Sequence, residues 1–221
     1  MGSSTPIGRA RPVSGDTDLV VPSQPGLHLL FDDPETRALP LGPRLAGELL
    51  DRGQPVVNVL VDQATPQYRA ELARLDVPTD DHEGQGRLAY VDAHAPTVGW
   101  AHTAPQTVFA ETPDVDAILL ALSEAQAGVV EKAPKHAVVV DSFSSLLVTN
   151  GLNEAYRFGQ SIASMAPRMG VVAVARVIPG MHDEREATAL RHLATTVTDV
   201  SRSTTADHEA AREPDSDWQR R

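Results

Sequence analysis

The sequence predicts an α/β fold, a three-layer α/β/α sandwich on a mostly parallel sheet. Three observations carry that expectation. Short runs such as Val56–Val61 and Ala137–Val140 are apolar at nearly every position, as strands are when both faces of a sheet are covered. These runs alternate with stretches of helical periodicity, the mark of βαβ units with right-handed crossovers. Hydrophobic residues are 41% of the 221 positions, enough for one large core, and aromatics at 4% leave that core to aliphatic side chains.

Leu27–Asp32 reads as the first strand. Gly42–Arg52 is amphipathic, and Gly53 stops it. Val56–Asp62 is the second strand, followed by a short helix over Pro66–Leu75 that opens on proline, where a missing N–H is harmless. Leu88–Ala93 is the third strand. A looser piece over 96–112 holds Trp100 and the short run Thr107–Phe109, with Trp100 and Phe109 open to a core or a recognition role. Asp114–Lys132 is a helix with Asp in its first turn, favourable to the helix dipole. Ala137–Asp141 is the fourth strand. Asn153–Met169 is a helix that Pro167 ends or bends; Met165 and Met169 lie on one side of it, as core-packing residues do. Val171–Ile178 is the fifth strand, and Asp183–Arg202 is largely helical. The expected organisation is a mobile arm over 1–25, one domain over 26–202 and a disordered polar tail over 203–221 in which Trp218 stands alone.

Formal net charge is -11 and the pI is about 5.1. A surface like that repels nucleic acid and anionic lipid, and no Lys/Arg run marks a basic patch, so no direct nucleic-acid or membrane partner is expected. There is no cysteine, which removes disulfides and thiolate zinc sites. Lys132 and Lys135 are the only lysines. An acid-rich, lysine-poor chain suits a salt-loaded cytoplasm, and a high-GC genome gives the same bias. Arg9 and Arg11 have no apolar run behind them, so no secretory signal is expected and the expected location is cytoplasmic.

The richest stretch is His136–Leu152: a buried strand ending in Asp141-Ser142, then small residues. Strand-terminal acids of this kind hold magnesium in nucleotide-binding sheets. The pattern G-x-x-x-x-G-K-[ST], whose backbone cradles phosphates, occurs nowhere. In its place, after the first strand, stand Asp32, Asp33 and Glu35, the prolines Pro40 and Pro43, and only Arg37 and Arg44 as cations. Carboxylates repel a triphosphate and prolines give it no N–H.

Across roughly 26–200 the order of elements resembles the RecA/KaiC-like P-loop superfamily, in particular its archaeal KaiC-like branch. Gln54–Leu75 is similar to the family's second strand and helix, where the strand usually ends in an acidic pair that includes the catalytic base. Here the pair is Asp62-Gln63, and Gln63 cannot take a proton. Val138–Ile162 resembles the magnesium-side strand and its helix, with Asp141 at the ligand position. Val171–Val200 resembles the closing strand and helix, especially of KaiC-like proteins from salt-loving archaea that also lack the phosphate loop.

The resemblance implies a RecA-like domain with a degenerate phosphate loop. It acts in regulation or signalling through a protein partner or its own copies, with no cofactor. The alternative is a divergent ATP-binding protein or ATPase, possibly a recombination accessory, with ATP and magnesium held by Asp141, Ser142, Asp62, Arg37 and Arg44. Each residue also has a plainer reading. Asp141 and Asp62 can cap turns, with Ser142 and Ser144 sharing the hydrogen bonds. Asp32, Asp33 and Glu35 can form a solvated acidic loop. His182, Asp183 and His192 have no recognised ligand spacing, and Ser142, Ser144 and Ser145 lack the glycines of a nucleophile elbow.

Overall fold

In the computed structural model, residues 21–32, 40–99, 104–130 and 135–200 are described. The strands are β1 (Gly26–Phe31), β2 (Val56–Leu60), β3 (Leu88–Asp92), β4 (Thr107–Phe109), β5 (Ala137–Val140), β6 (Val172–Val177) and β7 (Thr196–Asp199). The helices are α1 (Leu41–Asp51), α2 (Thr65–Arg74), α3 (Thr79–Gly84), α4 (Val115–Val130), α5 (Phe143–Asn150), α6 (Leu152–Met169) and α7 (Glu184–Arg191).

The seven strands form one sheet in the order β4-β3-β2-β5-β6-β1-β7, and every pair is parallel. The path steps one way across the sheet from β1 to β4 and the other way from β4 to β7. Right-handed crossovers must then place the two sets of helices on opposite faces. They do: α1 and α2 pack on Leu30, Val56, Leu60, Tyr90, Val139 and Val174, while α4 to α7 pack on Leu29, Phe31, Val57, Val59, Val140 and Ala175. The inner strands feed both layers through alternate residues, which is why their sequences are nearly all apolar. The chain has the three-layer α/β/α architecture expected, with two strands more than the five expected.

The run Thr107–Phe109 is a strand, β4, paired with β3. The residues after Asp141 are a helix, α5, capped by Ser142, whose Oγ accepts the Ser145 N–H at 3.1 Å. The largely helical stretch expected over Asp183–Arg202 is corrected in its second half. α7 stops at Arg191, and Thr196–Asp199 is a strand because β1 offers it a ladder. No helix among the described residues is long and apolar enough to cross a membrane. The arm up to residue 20, the tail with Trp218, Trp100, Lys132 and the loop residues Asp33, Glu35 and Arg37 lie outside the described residues.

Candidate functional site

β2 and β5 are neighbours whose connections leave in opposite directions, which opens a crevice at their carboxyl ends, the usual ligand position in sheets of this kind. Asp141 stands there, 4% exposed. Its own N–H extends the ladder to Val59 C=O at 3.0 Å. Oδ1 accepts the Val61 N–H at 2.8 Å, and Oδ2 accepts the Asp62 N–H at 3.2 Å. Burial raises the Asp141 carboxyl to about 8, with the nearby Asp62 charge adding to the shift and the backbone N–H groups opposing it. Asp141 therefore straps the end of β5 to the turn leaving β2, and each of its oxygens already receives a main-chain donor.

α1 begins directly above this strap. A Cβ on Gly42 would lie 3.5 Å from Tyr68 Oη and 3.8 Å from Asp141 Cα. Tyr68 is buried and donates from Oη to Asn58 Oδ1 at 2.8 Å. Burial, then the Asp141 charge, pushes its phenol well above the ordinary value. No described residue accepts from the buried Asn58 Nδ2. The crevice floor is thus filled by a phenol and an amide.

The remaining expected site residues separate. Asp62 is exposed at the rim, and Gln63 donates to Glu71 on α2 at 2.9 Å. Ser142 is occupied as the α5 cap. Arg44 is half-buried in the first turn of α1. Asp32 is corrected: it belongs to no solvated loop, because it is buried with Arg176 Nε 3.2 Å from its Oδ2. Met165 packs against the core as expected, while Met169 is corrected: it is exposed, and both line a groove of about 490 Å³ between α4 and α6.

Sequence reasoning missed three clusters. Asp92, ending β3, repeats the Asp141 arrangement: Oδ2 accepts the Thr65 N–H at 2.8 Å and Oδ1 the Ala95 N–H at 2.8 Å. The shared signal, an apolar run closing on Asp, was present in both. Buried Glu83 takes Arg69 Nε at 2.7 Å and Tyr90 Oη at 2.9 Å, fixing α2 and α3 to β3. Ser144 Oγ accepts the Ile178 N–H at 2.8 Å and meets His182 Nε2 at 2.7 Å, with Glu186 Oε2 3.5 Å from His182 Nδ1. That order of groups resembles a nucleophilic triad, but both Ser144 and His182 side chains are enclosed, so they latch the loop after β6 to α5. No group of three or more metal-ligating side chains occurs among the described residues.

A family model described as a family of unknown function, DUF7504, matches residues 41–200. The chain belongs to DUF7504. No curated protein matches it. Three solved structures are similar to this DUF7504 member. A KaiC-like protein from Pyrococcus horikoshii is 15% identical with a TM-score of 0.56, covering 79% of this chain and 70% of that one. An uncharacterized Pyrococcus horikoshii protein in complex with an unknown peptide is 16% identical with a TM-score of 0.61, covering 79% and 76%. The flagellar accessory protein FlaH from Methanocaldococcus jannaschii is 18% identical with a TM-score of 0.52, covering 79% and 70%. At these identities the likeness is one of fold: this DUF7504 member has the KaiC/RecA-like α/β sheet.

Proposed function

We propose that this DUF7504 protein is a non-catalytic RecA/KaiC-like domain that acts in regulation or signalling, in the cytoplasm, by binding protein. The observation that carries the reading is the carboxyl edge of the sheet. Asp32, Asp62, Asp92 and Asp141 stand at or just beyond the carboxyl ends of β1, β2, β3 and β5, and Asp141 spends both oxygens on main-chain donors. A triphosphate needs converging N–H groups and cations there. The unknown peptide in complex with one similar structure supports the reading.

A second reading is favoured by position alone. Asp141 sits at the crevice where such sheets bind ligands, and Arg44 opens α1, so a divergent ATP-binding protein with magnesium at Asp141 is the alternative. A role as recombination accessory would run through a protein partner, given the charge of -11. Titration calorimetry of the full chain with Mg-ATP at high salt separates the two. Silence is expected. Binding that disappears on Asp141→Ala overturns the non-catalytic reading.

A further inference from the structure

Asparagine occurs at positions 58, 150 and 153, and the residues that follow are Val59, Gly151 and Glu154. Only Asn150 precedes a glycine, which has no Cβ to hinder ring closure at its backbone nitrogen. Asn150 ends α5, and Gly151 joins it to α6 with a φ of 80°. Gly151 is exposed. Both residues line a polar pocket of about 470 Å³ that also takes Asp183, Arg185 and Glu186 from the start of α7. Water therefore reaches the junction.

The Asn150 amide holds two elements together there. Its Nδ2 donates to Leu146 C=O at 3.1 Å, one turn back in α5, and to Pro113 C=O at 3.2 Å, just ahead of α4. Both partners are carbonyls and can only accept, so the nitrogen side of the amide must face them. The Gly151 N–H is engaged as well, donating to Leu147 C=O at 2.8 Å. Next to Pro113, Asp114 caps α4, with its Oδ1 accepting the Ala117 N–H at 2.9 Å. Asn150 thus ties the entry of α4 to the end of α5.

We propose that Asn150-Gly151 is a site of self-modification, at which the chain deamidates when the α5–α6 junction opens. The Gly151 nitrogen loses its proton to water and attacks Asn150 Cγ. A new C–N bond closes a five-membered succinimide, and the side-chain nitrogen takes up a proton and leaves as ammonia. Water then cleaves the imide at either carbonyl, giving aspartate or isoaspartate at 150. No oxidant, metal or second protein takes part. The fold sets the timing. The bonds to Leu146, Pro113 and Leu147 must break before the nitrogen reaches the amide carbon, so the rate follows the population of the open junction. The fold also sets the outcome. A carboxylate at 150 has no hydrogen to donate, and it faces two carbonyl oxygens that repel it. The junction cannot close as before, and reclosing does not reverse the step.

Peptide mapping by mass spectrometry, on the full chain incubated folded between pH 7 and 9, tests the site. Residue 150 is expected to gain about 1 Da, to take up label from oxygen-18 water, and to convert faster as pH rises. Asn58 and Asn153 are expected to stay unchanged. A synthetic peptide covering 146–155 gives the unprotected rate. The folded chain is expected to convert at least about tenfold more slowly, and to approach the peptide in urea. Asn150→Gln is expected to abolish the change, because the ring to be closed is then six-membered. Asn150→Asp stands for the product. Its amide exchange over 114–117 and 150–155 is expected to accelerate about tenfold, with little change in β5. If Asn150→Asp does not fold, the converted chain, separated by charge, takes its place. A folded chain whose residue 150 stays unmodified for as long as it can be kept folded overturns the proposal. Conversion at the rate of the free peptide overturns it too, since the junction would then gate nothing. Unchanged exchange in the converted protein overturns the tie between α5 and α4.

Discussion

Asp141 Oδ1 accepts the backbone N–H of Val61 at 2.8 Å, joining the ends of β5 and β2 across the crevice. The bond is internal to the fold, yet it lies where a ligand of such a sheet would sit. Its consequences are measurable by stability as well as by binding.

Asp141→Ala removes the acceptor of two main-chain donors, those of Val61 and Asp62. Each buried donor left unmet costs about 1–3 kcal/mol, so a fall in urea midpoint is expected. Asp141→Asn keeps one acceptor and is expected to lose less. The pH response has a defined sign. Burial pushes the folded carboxyl up to about 8 from its ordinary 3.8, so between those values the folded state holds a proton the unfolded chain has released. That contribution to stability is full below the unfolded pKa and is lost as pH rises through about 8. The difference between the unsubstituted chain and Asp141→Asn, measured from pH 4 to 9, should carry this slope. A pH-independent difference would show that Asp141 stays ionised in the fold.

Tyr68→Phe leaves Asn58 Oδ1 without the hydroxyl that donates to it. A loss of roughly 1–3 kcal/mol is expected. Adding Asn58→Leu removes both polar partners, and most of the loss should return. Thermal melts of the single and double variants test the coupling; simple additivity would show that the bond contributes little.

Two glycines answer differently to the same methyl group. At Gly42 a Cβ meets nothing closer than 3.5 Å, so Gly42→Ala is expected to be neutral or mildly stabilising. At Gly159 it would lie 2.6 Å from Leu193 Cδ1 and 3.1 Å from Phe143 Cζ, inside the contact of α6 with α5 and the turn after α7. Gly159→Ala should cost about 1–3 kcal/mol by overpacking. Equal melting temperatures for the two variants would contradict this packing.

Ser144→Ala cuts the latch that holds the loop after β6. It leaves the Ile178 N–H and His182 Nε2 without their shared oxygen. Hydrogen exchange at Ile178 and across 178–183 is expected to accelerate more than exchange in β5 or β6. Uniform acceleration would instead indicate a global loss of stability.

The sheet was legible because its strands carry their burial on every residue, as Val56–Leu60 and Ala137–Val140 do. β7 was not. Thr196–Asp199 is short and exposed, and it follows a helical run without glycine or proline to separate them; pairing with β1 decides its state. α5 hid behind its serines, which suggest a turn until Ser142 is seen as a cap. The place of Asp141 was readable from the end of its strand. Its partners Val61 and Asp62 sit some eighty positions earlier, and only the tertiary fold brings them together. The Ser144–His182 contact was hidden for the same reason. Asp92 was overlooked although its strand ends as that of Asp141 does.

Among the described strands, β1 comes first in the chain and pairs only with the last two. Its neighbours β6 and β7 begin at Val172 and Thr196, so its ladder closes only after every other described strand has been made. Leu27, Leu29, Leu30 and Phe31 wait for sheet neighbours across that interval, a pairing of long sequence separation that makes closure of the sheet slow.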